Sequence, residues 1–220
     1  MSAPRLLLIN PNTSEGVTRK LARHVEAVLG EAVQLEAMTA SLGAAYIDSE
    51  ASYAIATHAT LDAYTSSAGA PPDAVLVGCF GDPGVFAVRE VSKVPVIGLA
   101  EAAFIEAAAI GRFAVVTGGA RWAPILQRFA RSIGYDKSLA CIRTVAPSGA
   151  QLAADPEGAR RMLAQACEEA AREGGVDCVI LGGAGLAGMA ADIAPQVGVP
   201  VIDSVLAGAR QIVELMRRSV

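Results

Sequence analysis

One cysteine stands where an apolar strand is expected to end in a glycine-rich turn. The segment reads Val75-Leu76-Val77-Gly78-Cys79-Phe80-Gly81-Asp82-Pro83-Gly84. Asp82 and Pro83 are typical of an N-cap followed by the first residue of a helix. A thiol near a helix N-terminus has a lowered pKa, which raises its thiolate fraction at neutral pH. The pattern therefore predicts that Cys79 can remove or deliver a proton.

The other thiols and the two histidines are not arranged for chemistry. Cys141, Cys167 and Cys178 fall on expected strand or helix faces, where cysteine usually behaves as a small buried hydrophobe. The four cysteines have no CxxC spacing, and His24 and His58 lie apart in expected helices. We therefore expect reduced thiols, histidines that are structural or face the solvent, no disulfide framework and no metal site.

An internal copy of the cysteine segment carries glycine at the matching position. Residues 73–79 match residues 177–183 at an offset of 104, so Gly183 is the counterpart of Cys79. Residues 5–10 match 112–117 at an offset of 107, and residues 94–97 match 199–202 at an offset of 105. Three matches in the same order indicate two similar halves.

Short β-branched or leucine-rich runs alternate with longer alanine-rich stretches, which predicts an α/β fold with parallel sheets. The expected strands cover residues 5–9, 33–38, 74–79, 94–98, 112–117, 138–144, 178–182 and 199–202. The expected helices cover residues 14–29, 49–67, 83–91, 100–109, 122–133, 156–173, 185–197 and 204–218. Because ligands bind beyond the carboxyl ends of parallel strands, Asn10, Cys79, Thr117 and Gly183 are expected to surround one cleft.

Two further kinds of turn are candidates for binding. The stretch from Asn10 to Ser14 predicts a turn and a helix N-cap at Thr13 or Ser14, and equally an anion site made of amides, hydroxyls and helix N–H groups. The glycine-rich strand ends are expected to supply backbone N–H groups to a carboxylate or an enolate oxygen. They comprise Thr117-Gly118-Gly119 and Gly182-Gly183-Ala184-Gly185.

Four other polar residues have two readings each. Glu101 and Asp203 follow the two matching Val-Pro-Val-Ile segments, where they are expected either at the cleft rim or as helix caps. Tyr46 and Tyr53 lie in and after a polar loop, where they either cover a substrate or pack against the protein.

The bulk composition excludes some classes of function. The 220 residues are 53% hydrophobic and 18% charged, with a net charge of −4 and no basic stripe, which argues against nucleic-acid binding. No apolar stretch reaches the roughly 20 residues of a membrane span. A soluble, cytoplasmic protein with a small-molecule partner is expected, and the apolar composition leaves self-association into a homo-oligomer open.

These segments together resemble the aspartate/glutamate/hydantoin racemase superfamily, in particular its hydantoin and allantoin racemase branch. The resemblance covers essentially the whole chain, and the cysteine segment is its most specific part. It also rests on Asn10-Pro11-Asn12-Thr13-Ser14, on residues 94–98 with Glu101, and on Leu181-Gly182-Gly183-Ala184-Gly185.

The resemblance implies two pseudo-symmetric α/β halves with an active site between them and no cofactor. We expect residues 1–98 with 207–220 in the first half and residues 99–206 in the second. Members of the superfamily use two cysteines on opposite faces of a stereocentre. Cys79 matches the first of these cysteines, and Gly183 stands at the position of the second. Cys178 does not replace it, since five residues of strand separate the two by more than about 10 Å.

The expected function is therefore proton transfer at a carbon next to a carboxylate or carbonyl of a small amino-acid derivative or hydantoin-like substrate. Cys79 is the expected acid/base. The expected substrate-binding residues are Asn10, Ser14, Phe80, Gly81, Thr117, Gly118, Gly183 and Ala184. Two alternatives remain at this stage, a single-cysteine decarboxylase or lyase of the same superfamily and a non-catalytic small-molecule binding protein.

Overall fold

Two four-stranded parallel sheets form the framework of the computed structural model, which describes residues 3–67, 69–147 and 149–218. The strands are β1 (Arg5–Asn10), β2 (Gln34–Thr39), β3 (Ala74–Val77), β4 (Val96–Gly98), β5 (Phe113–Gly118), β6 (Leu139–Val145), β7 (Cys178–Gly182) and β8 (Val201–Asp203). The helices are α1 (Glu15–Leu29), α2 (Glu50–Thr65), α3 (Val85–Val91), α4 (Leu99–Ile110), α5 (Trp122–Ser132), α6 (Gly149–Ala154), α7 (Pro156–Ala171), α8 (Met189–Ile193) and α9 (Ser204–Arg218).

The two sheets have the same topology, which confirms the α/β fold with two similar halves. The strand order is β2-β1-β3-β4 in the first sheet and β6-β5-β7-β8 in the second, and neighbouring strands are parallel throughout. The central strands β1, β3, β5 and β7 are almost entirely buried because helices cover both faces. Their carboxyl ends therefore carry the positions that the internal repeat relates to one another.

Helices α4 and α9 join the two halves. Helix α9 follows β8 of the second sheet. It nevertheless packs against helices α1 and α4 and against strand β3 of the first sheet. Helix α4 follows β4 of the first sheet and packs against β7 of the second. The buried ring of Phe104 on α4 lies 6.3 Å from the ring of Phe80 and 5.0 Å from that of Phe113. One apolar core therefore runs between the sheets, and the division of the chain between the halves stays a prediction.

The expected helix over residues 185–197 is wrong. The chain forms a 3₁₀ turn at Ala184–Leu186, the short helix α8, and a second 3₁₀ turn at Ala194–Gln196. Gly188 has a φ of 85°, a left-handed conformation that interrupts a helix. Pro195 falls in the second 3₁₀ turn. The glycine-rich end of β7 is thus a long irregular turn.

Smaller differences occur at the element ends. Strand β3 ends at Val77, so Gly78 and Cys79 belong to the turn that follows it rather than to the strand. Helix α3 begins two residues later than expected, and helix α6 falls in a stretch for which no helix is expected. Within the described residues, no helix is both long and apolar enough to cross a membrane.

Candidate active site

A cleft between the two halves lies at the carboxyl ends of β1, β3, β5 and β7. Its cavity volume is about 80 Å³. The first half contributes Asn12, Val17, Tyr46, Ile47, Asp48, Cys79 and Phe80 to its walls. The second half contributes Thr117, Gly118, Gly119, Trp122, Gly182, Gly183, Ala184, Gly185 and Leu186. The cleft therefore contains both Cys79 and its glycine counterpart.

The Cys79 turn is held closely against the sheet. The Gly78 N–H donates to the carbonyl of Ile9 at 2.7 Å, which continues the pairing of the two strands by one bond beyond β3. A Cβ at Gly78 would lie 2.9 Å from Cδ1 of Leu21, so only glycine fits without displacing its neighbours. Cys79 follows this fixed point and is 7% exposed, and its exposed part faces the cleft.

Asp82 caps a helix other than the one expected. Its carboxylate accepts hydrogen bonds from the N–H groups of Ala100 and Glu101, both at 2.8 Å, at the start of α4. The N-cap of α3 is instead Gly84, with a φ of 85°. Asp82 itself has a φ of 55°, uncommon for a residue with a side chain. Through the Asp82 carboxylate, the cysteine turn therefore links the end of β3 to the start of α4.

The predicted lowering of the Cys79 pKa is wrong. Burial raises the pKa of the Cys79 thiol far above its usual range, and the nearby carboxylate of Asp82 raises it further. Asp82 is itself 1% exposed, and burial raises its pKa to about 8 against the effect of its two N–H donors. The sequence suggested a helix N-terminus beside the thiol, but Asp82 occupies that of α4. Cys79 is therefore a protonated thiol at neutral pH.

The remaining thiols do not belong to the cleft. Burial raises the pKa of Cys141 and of Cys178 to about 11 and that of Cys167 to about 12. Cys178 lies at the opposite end of β7 from the cleft, with Sγ 3.6 Å from the carbonyl of Ala107. Among the residues that the structure describes, no three His, Cys, Asp or Glu side chains are grouped so that they could hold a metal ion.

Two aromatic residues bind the halves together beside the thiol. The ring of Phe80 packs so closely on Gly182 that a Cβ at Gly182 would overlap it. Trp122, at the start of α5, packs against Gly81, where a Cβ would lie 2.7 Å from Cζ3 of the indole. Phe80 and Trp122 are 3% and 8% exposed, and both line the cleft. The glycines at these positions are therefore needed for the halves to meet.

The Gly183 turn carries no acid or base on its cleft side. Gly183 has a φ of 143°, and its N–H donates to Oγ of Ser204 at 3.2 Å. A Cβ at Gly183 would lie 3.3 Å from Cγ of Leu186. The neighbouring walls are apolar and are formed by Val17, Ile47 and Leu186. Because its N–H is already engaged, Gly183 itself is not the oxyanion donor that the sequence suggested.

Two buried polar side chains have a free donor in the cleft. Oδ1 of Asn12 accepts from Nδ2 of Asn10 at 2.9 Å and from the Ser14 N–H at 2.9 Å, which leaves its own Nδ2 available. Asn12 is 6% exposed and Thr117 is 4% exposed, and both line the cleft. Within the described ranges, neither Nδ2 of Asn12 nor the Thr117 hydroxyl has a hydrogen-bonding partner in the protein. Both can therefore bind an oxygen of a ligand.

The expected binding residues divide into two groups. Phe80, Thr117, Gly118, Gly183 and Ala184 line the cleft together with Cys79. Asn10, Ser14 and Gly81 lie behind its walls. Nδ2 of Asn10 is bonded to Asn12, to the Ser14 carbonyl and to the Thr18 hydroxyl. Ser14 is the N-cap of α1, and the Gly81 carbonyl accepts from the Tyr53 hydroxyl at 2.8 Å.

The other polar candidates have structural contacts. Glu101 forms an ion pair with Arg89, and Asp203 accepts from the N–H groups of Gly188, Val205 and Leu206. His58 is exposed on α2. Tyr46 lies at the cleft mouth, whereas Tyr53 packs behind the Cys79 turn, 6.4 Å from the ring of Trp122.

Sequence reasoning missed several lining residues. Asn12 lies in the predicted turn from Asn10 to Ser14. Its Oδ1 accepts from Nδ2 of Asn10 and from the Ser14 N–H, and Asn12 rather than Asn10 lines the cleft. Trp122 is the chain's only tryptophan and follows a glycine-rich strand end, which is a usable signal. Ile47 and Asp48 come from the loop before α2, the polar loop in which the sequence singled out only Tyr46.

Comparison with known proteins gives a consistent picture. The family model described as Asp/Glu/Hydantoin racemase matches residues 6–212. A hydantoin racemase of Paenarthrobacter aurescens is 35% identical over 208 residues, which cover 94% of this chain and 88% of that protein. An allantoin racemase from Klebsiella pneumoniae superimposes with a TM-score of 0.91 at 29% identity, covering 99% and 89% of the two chains. The allantoin racemase of Pseudomonas fluorescens gives 0.94 at 28% identity, covering 98% and 92%.

Proposed function

Because the chain belongs to the Asp/Glu/hydantoin racemase family and is thus an enzyme of the racemase/isomerase class, we propose that it moves a proton at a carbon next to a carbonyl. The proposed reaction needs no cofactor, and Cys79 is its acid/base. The observation that carries the proposal is the Cys79 thiol at the end of β3, facing a cleft with two unpaired hydrogen-bond donors. Its position suits transfer of a proton to or from one face of a bound carbon.

The proposed substrate is a small ring or amino-acid derivative that carries a carbonyl or carboxylate beside a C–H bond. The relatives named hydantoin and allantoin racemases point to a five-membered hydantoin ring. In this proposal Nδ2 of Asn12 and the hydroxyl of Thr117, both from residues that line the cleft, donate to its oxygen. These hydrogen bonds strengthen as negative charge develops on an enolate. The walls formed by Val17, Ile47 and Leu186 suit an apolar substituent.

The proposed mechanism is asymmetric. The Cys79 thiol, which is protonated at neutral pH, first loses its proton to solvent in a small fraction of molecules. The thiolate then takes the proton from the carbon and leaves an enolate, whose oxygen is held by Asn12 and Thr117. Cys79, now a thiol, returns a proton to the same face, whereas the opposite face receives one from water at the Gly183 turn. The hydroxide left by that water is neutralised by the proton on Cys79, which restores the thiolate. The Gly183 turn has no side chain that could deliver a proton. Inversion is therefore slower than proton return by the thiol.

A second candidate reaction is decarboxylation with Cys79 as the only proton donor. It is favoured by one observation, the raised pKa of the Cys79 thiol, which keeps it protonated before the reaction. Loss of carbon dioxide from a malonate leaves an enediolate, and the thiol supplies its proton on one face. No opposite acid is needed in that reaction.

One set of assays separates these reactions. Single enantiomers of allantoin and of 5-substituted hydantoins are incubated with the enzyme and followed by polarimetry, and a substituted malonate is followed by release of carbon dioxide. We expect loss of optical rotation with the first group. Cys79→Ala is expected to lower the rate at least about 10²-fold, because a positioned acid/base contributes that much or more.

The matched control is Cys141→Ala, which removes a half-buried thiol of β6 that lies outside the cleft. It is expected to keep the wild-type rate. Release of carbon dioxide without any racemisation would favour the decarboxylase. Full activity of Cys79→Ala would exclude Cys79 as the acid/base, and tight binding of a hydantoin without turnover would leave a binding protein.

A further inference from the structure

The turn from Gly183 to Gly188 lines one wall of the cleft but contains little regular structure. Its only helical part is the 3₁₀ turn at Ala184–Leu186. Two of its N–H groups are held from the same half of the molecule. The Gly183 N–H donates to Ser204 at 3.2 Å, and the Gly188 N–H donates to Asp203 at 2.7 Å. The first bond ties the Gly183 end of the turn to the start of α9, and the second ties the Gly188 end to the end of β8.

The middle of the turn is held from the other half. Lys20 lies on α1, which follows β1 of the first sheet, and its Nζ donates to the carbonyl of Gly185 at 2.5 Å. Helix α1 also contacts the turn through its neighbouring residues. Val17 lines the cleft one helical turn before Lys20, and the ring of His24 packs under Gly188 one turn after it. One face of α1 therefore supports the whole turn.

The Lys20 ammonium donates to a neutral carbonyl, that of Gly185, rather than to a carboxylate. The side chain is half-buried, and burial lowers its pKa, with Arg23 and Arg160 acting in the same direction and Asp203 against it. In the part of the chain that the structure describes, Lys20 forms no ion pair. The Asp203 carboxylate is occupied by three backbone N–H groups. Placing an ammonium in this position without a carboxylate partner costs free energy, so a benefit elsewhere is expected.

The adjacent residue provides the contrast. Arg19 points away from the turn, with a side chain that is 71% exposed and paired with Glu15 at 3.2 Å. Arg19 and Lys20 thus share a helix, a charge and a sequence neighbourhood, and only Lys20 reaches the cleft wall.

We propose that Lys20 is a positioning residue, which holds the Gly183–Gly188 turn against the half that carries Cys79 and so sets the width of the substrate site. Its effect on turnover rests on the proposed racemase function. Its effect on the order of the turn does not, because the bond to Gly185 is present without a substrate. Lys20 does not line the cleft and is assigned no proton transfer.

The test compares Lys20→Met, Lys20→Arg and Arg19→Met with the wild type. Backbone amide exchange of residues 183–188 is measured by mass spectrometry, and KM and kcat are measured with a single enantiomer of allantoin. Loss of a hydrogen bond from a charged donor is expected to speed amide exchange in the turn about tenfold or more in Lys20→Met. KM is expected to rise by a similar factor, while kcat falls by less than about threefold.

The remaining variants decide whether the effect is specific. Lys20→Arg keeps a charged donor and is expected to restore slow exchange and the wild-type KM, and Arg19→Met is expected to change neither. Thermal melting verifies that each variant is folded, and Lys20→Gln replaces Lys20→Met if the latter is not. Unchanged exchange and KM in the folded variant would overturn the proposal, as would an equal effect of Arg19→Met. If the wild type turns over no tested substrate, amide exchange alone decides about Lys20.

Discussion

The Cys79 turn and the Gly183 turn occupy equivalent places in two equivalent sheets, yet only one of them carries a reactive group. Each follows the third strand in its sheet order, β3 or β7, and each lines the same cleft. The first presents a buried thiol beside a buried carboxylate. The second presents backbone and a left-handed glycine. Duplication of a fold therefore placed two chemical positions, and the residue types decide how many are used.

The two turns also differ in how they are held. The Cys79 turn is fixed by strand-like pairing at Gly78 and by the capping of α4 through Asp82. The Gly183 turn depends on single hydrogen bonds to Ser204, Lys20 and Asp203. The first arrangement fixes the direction in which the Cys79 side chain points. The second fixes only the position of a backbone segment in the cleft wall. This difference agrees with the proposed mechanism, which needs a positioned thiol on one side and water on the other.

Apart from removal of Cys79 itself, the largest expected change comes from placing a thiol on the glycine side. Gly183→Cys restores the second position, and because a positioned acid contributes about 10²-fold or more, even an imperfect thiol is expected to raise inversion about tenfold. The φ of 143° and the nearby side chain of Leu186 oppose any Cβ there, so the variant is expected to lose about 1–3 kcal/mol of stability. Polarimetry and thermal melting measure the two effects.

Gly183→Ala is the matched control, since it introduces the same backbone strain without a thiol. It is expected to lose the same stability and to gain no inversion. An equal gain in both variants would mean that the wall, and not the missing thiol, limits inversion.

A smaller change is expected from the carboxylate beside the thiol. Asp82→Asn removes a negative charge that raises the pKa of Cys79, so the pKa of the thiol falls. Each unit of decrease gives about ten times more thiolate at a pH below the pKa. The rising limb of the rate against pH therefore moves to lower pH in Asp82→Asn. A limb that stays in place or moves to higher pH would show that Asp82 does not act on the thiol.

The control for this profile is Asp62→Asn, which removes an exposed-side carboxylate of α2 that lies outside the cleft. It is expected to leave the rising limb unchanged. Since the Asn side chain cannot accept both N–H bonds at the start of α4, melting temperatures are compared as well.

The smallest expected change concerns the Thr117 hydroxyl, the proposed donor to the substrate oxygen. Thr117→Val keeps the shape of the side chain and removes its hydroxyl. A neutral hydrogen bond of this kind contributes about 0.5–1.5 kcal/mol, so kcat/KM is expected to fall about 2- to 10-fold. The control is Thr144→Val on β6. Thr144 pairs with Thr117 in the sheet but does not line the cleft. Equal losses in the two variants would place the Thr117 effect in the strand rather than in the site.

The sequence predicted the fold well because its main signals are periodic and repeated. Buried runs such as residues 6–9 and 178–181 mark the central strands, and three ordered matches mark the duplication. The same repeat identified Gly183 as the counterpart of Cys79. Long helices with clear caps, such as α1 with Ser14, were also predictable.

Other features depended on contacts between distant segments. Asp82 was expected to cap its own helix, but its carboxylate caps α4, eighteen residues later. Burial of the thiol, with the Asp82 carboxylate acting in the same direction, reverses the expected direction of the Cys79 pKa shift. The expected helix over residues 185–197 is interrupted at Gly188 and at Pro195. The alanine-rich composition of this stretch favoured a continuous helix and did not reveal these breaks. Cytoplasmic location and self-association stay predictions.

The most direct test of the asymmetry is deuterium labelling of one enantiomer of allantoin or of a 5-substituted hydantoin in D₂O. If Cys79 is the only side chain that transfers a proton, and its S–H exchanges with D₂O before the proton returns, the enantiomer whose C–H faces Cys79 gains deuterium in the unreacted pool faster than it inverts. The same buffer without enzyme supplies the background rate of exchange in solution. Deuterium incorporation above that background in Cys79→Ala, starting from the opposite enantiomer, would require a second acid/base opposite Cys79 and would contradict the account.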